Sequence, residues 1–529
     1  MKTTRRTFLA SAGAGAMALV AGCARSPAEY PGAILGAASA AGHRIRDGHF
    51  PAPSEIREVG HVIVGGGIAG LSAARRFDQK DARDFLLLEL DQQPGGNAAS
   101  GRNSVSAYPW GAHYVPLPND DSTEVLAWFE ELGLIRGRDP RGVPIYDEET
   151  LCSDPMERLF DAGRWQEGLL PQIGISTEDR RQYESFFARM SAFRDARGSD
   201  DRPAFTIPLD LSSRDPEFLA LDRITMAEWM RAQRFDSAPL LWHVDYCCRD
   251  DYGAGLAHIS AWAGVHYFAS RRGHAANADA DAVVTWPEGN GWLAHRLAEP
   301  LGERFRSGCV VFNIEEDGPN VFVDYLDLAR ERSIRVRTQG VVCAAPRFVA
   351  TRIVRGLAPA PGLEYSPWMV ANVTLDRMPA GDGVELAWDN VSRASASLGY
   401  VVATHQNMHP VPRETVLTHY WPLDAASPVE ERQRAIVKTH REWCDLVVAD
   451  LSSFHPGIAP HIRHIDVWLW GHGMIRPVPG FIWGETRARL SEPHGRIAFA
   501  HSDMSGISIF EEAFTRGYHA ADTLLAQHG

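Results

Sequence analysis

The sequence predicts an α/β protein in which a discontinuous Rossmann-like domain carries an inserted α+β domain. Three observations predict this fold. A glycine-rich turn joins an apolar run to a helical pattern after residue 64, and a second apolar run ends in an acidic residue at position 89. A further apolar run followed by a helical pattern closes the chain. Strands that alternate with helices are typical of a parallel sheet covered by helices.

The segment "EVGHVIVGGGIAGLSAARRF" predicts a strand over 59–64, a glycine turn, and a helix over 68–77. The first glycine of such a turn permits the sharp bend, the second lets a pyrophosphate approach the backbone, and the third lets the helix pack against the strand. The helix N-terminus offers free N–H groups and a partial positive charge to phosphates. The candidate cofactor-binding residues of this turn are Gly65, Gly67, Ile68, Ala69 and Gly70.

The apolar run "DFLLLELD" supplies an acidic partner for the glycine turn. Glu89 stands at the end of this run, 24 residues after Gly65. A carboxylate at the tip of the second strand accepts hydrogen bonds from the adenosine ribose and repels a 2′-phosphate, which disfavours NADP. We therefore expect a dinucleotide with an unphosphorylated ribose.

Two further segments follow: "DQQPGGNAASGRNS" supplies Gly95, Gly96 and Asn97, and "AYPWGAHYVP" supplies Gly111 and Ala112. With them in place, the sequence resembles the flavin-dependent amine oxidase and phytoene desaturase superfamily. The resemblance implies FAD as the cofactor. It also implies that the first segment corresponds to a Gly-Gly-Arg loop of the family, with asparagine in place of arginine, and that the second lies beside the flavin.

The resemblance recurs in two later parts of the chain. It implies that Val311, in "CVVFNIEEDGPNVFVDY", touches the adenine, and we predict a hairpin around residues 315–320. In "RIAFAHSDMSGISIFEEAF" it implies that Asp503 bonds the ribityl or pyrophosphate region. The helix predicted after Ser508, with Ile509 at its start, would then face the N1–C2=O edge of the flavin.

These blocks give predicted boundaries for the whole chain. Residues 1–22 form a signal peptide and 23–58 a tether. Residues 59–115, 284–350 and 490–529 form the FAD-binding domain, and 116–283 and 351–489 form the substrate domain.

The substrate side departs from the family. Asn372, in "NVTLDR", stands where the family usually has a lysine near flavin N5. In the family that lysine supports the reaction of reduced flavin with oxygen, so its absence favours a different electron acceptor. Ile509 stands at the position of a usual cage tyrosine. Phe481 and Trp483 are candidate aromatic walls of the pocket, with Trp470 as a further candidate. No general base is assigned.

Three functions are compatible with these residues. The first is an exported FAD enzyme that takes a hydride from the C–N bond of an amine, with the neutral amine as substrate. The second is an FAD-dependent desaturase or isomerase that acts on C–C bonds of a lipid-like substrate. The third is a non-catalytic lipoprotein that binds FAD or nothing. We expect the oxidation of a small-molecule amine, and the acidic composition is compatible with a cationic substrate. The sequence does not identify the electron acceptor.

The N-terminus predicts export. "TRRTFL" followed by a small-residue and apolar run resembles a twin-arginine signal, whose machinery moves folded proteins, and an ordinary secretory signal is the alternative. "VAGC" resembles a lipoprotein box that would attach a lipid to Cys23, the only expected membrane contact; cleavage nearby and release is the alternative. The periplasm or the membrane surface is the expected location.

Composition excludes some partners. The chain of 529 residues has 53 basic and 67 acidic side chains, and its formal charge becomes −17 when residues 1–22, which hold three basic residues and no acidic one, are removed. This balance argues against nucleic acid as a partner. The seven cysteines form no C-x-x-C, and the only histidine pair weighed as a metal site, His405 and His409, stands in a proline-containing loop. We expect no metal.

Overall fold

The computed structural model describes residues 29–36, 39–407 and 413–528. The predicted signal peptide, Cys23 and His409 lie outside the described residues. Three larger sheets organise the described chain: a five-stranded sheet, a four-stranded sheet and an eight-stranded sheet. We call the first the cofactor sheet and the third the substrate sheet.

The cofactor sheet is parallel throughout and is assembled from distant parts of the chain. Its central strands are fully buried, as expected for a parallel sheet with both faces covered. In spatial order its strands are Phe305–Arg306, Phe85–Leu88, His61–Val64, Gly340–Cys343 and Ile497–Phe499. The predicted strand–turn–helix–strand order at the start of this sheet is confirmed.

The helix after the glycine turn, Ile68–Gln79, packs against the C-terminal helix, Phe510–His528. Ser72 donates a hydrogen bond to the carbonyl of Phe514 at 2.9 Å. A Cβ on Gly517 would lie 2.0 Å from Ser72 Oγ, so glycine is needed for this close approach. The two ends of the Rossmann-like domain therefore meet directly. The other helices on this side are Gly291–Ala298 and Arg347–Ile353, with a 3₁₀ turn at Glu299–Arg304.

The helix Thr123–Glu131 lies beyond the predicted domain boundary at residue 115, yet it packs on the cofactor side. Trp128 stacks on Phe514 of the C-terminal helix with ring centroids 5.3 Å apart. Four of its side chains, Val125, Leu126, Trp128 and Phe129, join the core that surrounds the cofactor sheet. The boundary inferred from the sequence is therefore too early, because burial against a distant helix leaves no local signal.

The four-stranded sheet contains the predicted hairpin. Cys309–Asp317 pairs antiparallel with Asn320–Asp327, which pairs antiparallel with Arg332–Thr338. Glu55–Glu58 adds a parallel fourth strand.

The predicted tether needs correction over its described residues. Besides Glu55–Glu58, it contains the helix Ser39–Asp47 and the strand Ile34–Leu35, which pairs with Val467 and Trp468 at the edge of the substrate sheet. Proline, alanine and glycine suggested a linker, but pairing with existing sheet edges supplies hydrogen bonds that local composition does not reveal.

The substrate sheet is mixed, and its central strand, Tyr365–Leu375, is buried at all 11 positions. Helices pack around it, so the inserted part is α+β as predicted. In spatial order its strands are Ile34–Leu35, Ile462–Ile475, Tyr365–Leu375, Thr415–Pro422, Tyr400–Val402, Asp389–Ser392, Glu157–Asp161 and Arg164–Glu167. The helices of the inserted part are Thr177–Asp195, Pro216–Leu219, Met226–Ala232, Ala238–Tyr252, Ala261–Ala269, Pro428–Val437, His440–Phe454 and Glu485–Leu490.

Short elements complete the described chain. Three strand pairs, Ser100–Arg102 with Ala107–Pro109, Tyr114–Pro116 with Val283–Thr285, and Ile135–Arg138 with Pro144–Tyr146, lie outside the three sheets. Within residues 29–36, 39–407 and 413–528, no helix combines the length and the apolar character needed to cross a bilayer.

Candidate active site

The glycine turn leaves open space in front of a helix. Gly65 has a φ of +106°, and a Cβ on Gly70 would lie 1.8 Å from the Gly65 carbonyl oxygen, so both positions require glycine. A Cβ on Gly67, in contrast, would have no neighbour closer than 3.9 Å. The space beside Gly67 is therefore where a ligand can approach the backbone.

The helix that begins at Ile68 is capped by Gly67, which offers no side-chain cap. The first-turn amides of Ile68, Ala69 and Gly70 therefore have no capping side chain and lie at the positive end of the helix dipole. This is the donor set that a diphosphate needs.

Glu89 follows the strand Phe85–Leu88 and lies at the glycine turn. Its Oε2 accepts a hydrogen bond from the Gly66 amide, and its Oε1 accepts one from the Asp91 amide at 2.7 Å. Burial raises the pKa of Glu89 to about 7, although the two amide hydrogen bonds oppose the shift. The Glu89 carboxyl group is therefore in direct contact with the glycine turn.

The loop that contains Gly95 and Gly96 lies on the other side of the turn. The Gly95 amide donates to the Gly66 carbonyl at 2.9 Å, and both loop glycines have positive φ values, +136° and +57°. A Cβ on Gly96 would lie 3.3 Å from Gly67 Cα. The loop therefore closes one wall of the space in front of the helix.

Asn97 connects this loop to the substrate side. Its side chain donates a hydrogen bond to the Gly473 carbonyl, and its own carbonyl accepts the Ala112 amide at 2.9 Å. A Cβ on Gly111 would lie 2.4 Å from the Asn97 carbonyl oxygen. An asparagine where the resemblance implies an arginine thus ties the two domains together.

Val311 lies in the strand that starts beside Glu89, since the Cys309 amide donates to the Glu89 carbonyl at 2.8 Å. The regular pairing of this strand shifts between Val311 and Asn313. Val311 thus lies two residues after a contact with Glu89, and its contact with an adenine stays a prediction.

Asp503 is fully buried and engaged by the protein. It accepts hydrogen bonds from the Arg347 amide at 2.8 Å and the Tyr365 hydroxyl at 2.6 Å, and His501 Nδ1 lies 3.0 Å away. Burial alone would raise the pKa of Asp503, but His501 and these hydrogen bonds lower it overall. Both hydrogen bonds are accepted by Oδ2, whereas Oδ1 has no hydrogen-bond partner among the described residues and remains available to a cofactor.

These features fit FAD. The uncapped helix N-terminus with open space beside Gly67 suits the diphosphate, and Glu89 suits the ribose. A cavity of about 1000 Å³, which includes space open to solvent, continues from Asn97, Gly111 and Ala112 toward Ile509 at the start of the C-terminal helix. These four predicted residues line the cavity together, and a flavin ring extending from the glycine turn would lie there.

Three predicted pocket residues need correction, because Asn372, Phe481 and Trp483 are not in the cavity lining. Asn372 is held between the Pro109 carbonyl, at 3.1 Å, and the Thr418 hydroxyl, at 2.6 Å. Phe481 packs into the core between the cofactor and four-stranded sheets, and Trp483 packs against the helical core and the guanidinium of Arg487. The presence of aromatic residues in this part of the sequence does not predict which of the rings face the cavity.

Trp470, the further candidate, does line the cavity, and its Nε1 donates to the Trp110 carbonyl at 2.6 Å. His113 stacks on Tyr420 at 4.6 Å. The other rings in the lining are Trp368, Tyr114, His266 and Phe510. Burial lowers the pKa of His113 to about 4, so the ring is neutral at pH 7. The aromatic wall is therefore uncharged.

The cavity also holds three carboxyl groups and one guanidinium: Asp250, Asp251, Glu511 and Arg271. Arg271 donates to both oxygens of Asp251, at 2.8 and 3.0 Å. Burial, reinforced by the charge of Asp251, raises the pKa of Asp250 to about 7. Because Asp251 uses the only arginine in the lining, Asp250 and Glu511 remain available to a cation.

Glu511 lies in the first turn of the C-terminal helix with 1% of its surface exposed. Its Oε2 has no hydrogen-bond partner among the described residues. Burial raises the pKa of Glu511 to about 7. Neither Glu511 nor Asp250 was predicted as a site residue from the sequence. The one signal for Asp250 was an Asp-Asp pair on a helix with buried neighbours.

A family model described as an NAD(P)-binding Rossmann-like domain matches residues 63–132. Among solved structures, a double mutant of putrescine oxidase from a cofactor-binding redesign has a TM-score of 0.66 at 15% identity, covering 89% of this chain and 100% of that one. Cyclohexylamine oxidase from Brevibacterium oxydans has a TM-score of 0.63 at 17% identity, covering 89% and 99%. The CLA-producing fatty acid isomerase from P. acnes has 0.62 at 14%, covering 88% and 98%.

No curated protein sequence matches the chain. At these identities the structural similarity concerns the fold. Residues 63–132 thus match a Rossmann-like NAD(P)-binding domain, and the fold of the chain is similar to that of these two oxidases and the isomerase.

Proposed function

We propose that the protein is an FAD-dependent oxidoreductase that binds a cationic amine and, once the nitrogen has lost its proton to a carboxylate of the cavity, takes a hydride from the carbon bonded to that nitrogen. The observation that carries the proposal is the composition of the cavity lining. It contains three carboxyl groups, an aromatic wall and one arginine, which is already paired with Asp251. Carboxylates and ring faces are the groups that bind an ammonium ion. The bound FAD would supply the hydride acceptor.

The chain's own residues bind and orient the substrate. Asp250 attracts the ammonium group and Trp368, Tyr420 and Trp470 enclose the carbon skeleton. Arg271 holds Asp251 in place through an ion pair. Its positive charge also reduces the repulsion among the three carboxyl groups when they are ionised.

A C–C desaturase or isomerase of a lipid-like substrate remains the second candidate, because Val370, Met474 and Ile509 add an apolar stretch to the same cavity. We also propose export by a twin-arginine route and lipid attachment at Cys23. This route suits a protein that binds its cofactor before it leaves the cytoplasm.

The test is the spectrum of the purified protein, followed by anaerobic reduction. We expect a flavin band near ~450 nm that is bleached by primary or secondary amines and not by polyunsaturated fatty acids. A protein without this band, even after incubation with FAD, would contradict the cofactor proposal. A band that fatty acids bleach and amines do not would favour the second candidate.

A further inference from the structure

Three neighbouring strands of the cofactor sheet end together, and three loops leave the sheet at that edge. Val64, Cys343 and Phe499 are the last residues of these parallel strands and are paired in register. The glycine turn follows Val64 directly, and Arg347 and Asp503 each stand four residues after a strand end. Ligands of open parallel sheets bind outside the carboxyl ends of the strands. Arg347 and Asp503 therefore share an edge with the glycine turn.

The side chain of Arg347 is kept at this edge. It is only 7% exposed, and its guanidinium carbon lies 4.7 Å from the ring centroid of Phe499, at the end of the neighbouring strand. The backbone of the same residue is fixed as well, since the Arg347 amide donates to Asp503 at 2.8 Å. The positive charge therefore stays beside the strand ends and is shielded from solvent.

This guanidinium lacks hydrogen-bond partners. Its Nε and Nη1 are buried without any among the described residues. Burial lowers the pKa of Arg347, and Cys343, Tyr365 and Asp503 oppose this shift only in part. The Asp503 carboxylate accepts hydrogen bonds from the Arg347 amide and the Tyr365 hydroxyl, not from the guanidinium. Because an arginine does not lose its proton in a protein, a buried guanidinium without a counter-ion is costly.

Arg347 differs in this respect from the other buried arginines of the described chain. The side chain of each of the others makes at least two polar contacts: Arg158, Arg476, Arg487 and Arg516. Buried polar groups are normally satisfied in this way. A fold that satisfies four buried guanidinium groups and leaves one open at a ligand-binding edge indicates that a bound anion completes the fifth.

The neighbouring parts of the site offer a diphosphate no other full positive charge. Residues 65–70 of the glycine turn are glycine, isoleucine and alanine, so they present N–H groups and the partial charge of a helix end. The loop that resembles Gly-Gly-Arg has Asn97 at its third position, and this side chain donates to the Gly473 carbonyl. Arg347 is a cation at the same edge of the sheet.

We propose that the Arg347 guanidinium binds the diphosphate of FAD on the side that leads toward the flavin. It supplies the positive charge that the loop with Asn97 does not. Asp503 stands beside it with Oδ1 unpartnered among the described residues and suits a ribityl hydroxyl, so the two side chains bind different parts of the cofactor. This inference rests on the proposed cofactor and is independent of the proposed amine chemistry.

The experiment is a titration of cofactor-free protein with FAD, followed by flavin fluorescence. Arg347→Gln should raise the dissociation constant about 10- to 100-fold, because a charge-assisted contact is lost. Arg347→Lys should lose less, since it keeps the charge without the planar fork. The matched control is Arg352→Gln, which removes an exposed arginine from the same helix, Arg347–Ile353, and should bind FAD like the parent.

The melting temperature of the cofactor-free protein separates binding from folding. Arg347→Gln should melt at or above the temperature of the parent, because the variant removes a buried charge that has no partner there. A lower melting temperature would show that Arg347 stabilises the fold itself, which overturns the proposal. Equal FAD affinities of Arg347→Gln and the parent would overturn it too.

Competition against FAD identifies the part of the cofactor that Arg347 contacts. Arg347→Gln should weaken the binding of ADP, which carries the diphosphate, and leave the binding of adenosine unchanged. Equal weakening of both competitors would place the contact elsewhere and overturn the proposal. A parent that binds no FAD would overturn the proposed cofactor and this inference together, whereas tight FAD binding without reduction by amines would count against the amine chemistry alone.

Discussion

Asp250 and Asp251 are neighbours on one helix but have different partners. Asp251 is neutralised by two hydrogen bonds from Arg271. Asp250 has a pKa raised to about 7 by burial and by the charge of Asp251. A bound ammonium ion would favour the ionised form of Asp250, so substrate binding and ionisation of this residue are coupled.

Asp250→Asn should weaken binding of a cationic amine by about 10- to 100-fold, since a charge-assisted hydrogen bond contributes about 1.5–3 kcal/mol. In the parent, the dissociation constant should fall as pH rises through about 7, because the raised pKa leaves Asp250 protonated below that value. Titration of flavin absorbance with the amine measures both. Asp161→Asn, which changes a carboxylate outside the cavity lining, is the control. An unchanged pH profile in Asp250→Asn would exclude Asp250 as the cation ligand.

Glu511 gives a second prediction at this scale, for the reduction potential of the flavin. Its pKa is raised to about 7 by burial, so it is ionised at pH 8 and neutral at pH 6. A negative charge at Glu511 would disfavour the anionic reduced form of a flavin bound in the cavity. Glu511→Gln should therefore raise the midpoint potential at pH 8 by about 30 mV and change it little at pH 6. Spectroelectrochemistry measures this, and equal shifts at both pH values would contradict the assignment.

At the scale of elements, the glycines of the turn have two different roles: Gly70 permits close packing, and Gly67 leaves space for a ligand. Gly70→Ala should destabilise the fold by about 1–3 kcal/mol or more, because the methyl group meets the Gly65 carbonyl. Gly67→Ala should leave the melting temperature of the cofactor-free protein unchanged, since its methyl group enters open space. It should nevertheless weaken FAD binding by at least about tenfold, because that space is where the diphosphate approaches. Tight FAD binding by Gly67→Ala would place the diphosphate elsewhere.

The elements that the sequence predicted correctly are those with a local signal. The glycine turn, the strand before Glu89 and the hairpin around residues 315–320 each follow from spacing and turn residues within about 20 positions. The strands Ile34–Leu35 and Glu55–Glu58 escaped prediction because their pairing partners stand hundreds of residues away. Short edge strands obtain their order from the sheet they join.

The candidate site divides in the same way. The predicted cofactor residues Asn97, Gly111, Ala112 and Ile509 meet at one cavity. They could be predicted because the resemblance implied the order of these segments along the fold. The pocket residues did not follow from residue type: Trp483 packs into a core, while Trp470 faces the cavity. Only tertiary packing decides which side of a strand or turn faces inward.

At the scale of the whole molecule, three separated segments of the chain assemble the cofactor sheet. Glu89 contacts the glycine turn, and the C-terminal helix packs on the helix that follows this turn. The inserted domain then adds the cavity walls, so neither half contains a complete site. The acidic groups of the cavity belong to a chain that is itself strongly acidic.

The overall charge predicts how cationic substrates arrive. With a formal charge of −14, the protein should attract cations over a Debye length and concentrate them near the acidic cavity. We expect kcat/KM for a cationic amine to fall severalfold between about 20 mM and about 500 mM salt, while kcat changes little because the buried contacts are not screened. A zwitterionic amine of the same length is the control and should show a much weaker dependence. Equal salt dependence for both amines, measured by anaerobic flavin reduction at limiting substrate, would show that long-range attraction plays no part in substrate capture.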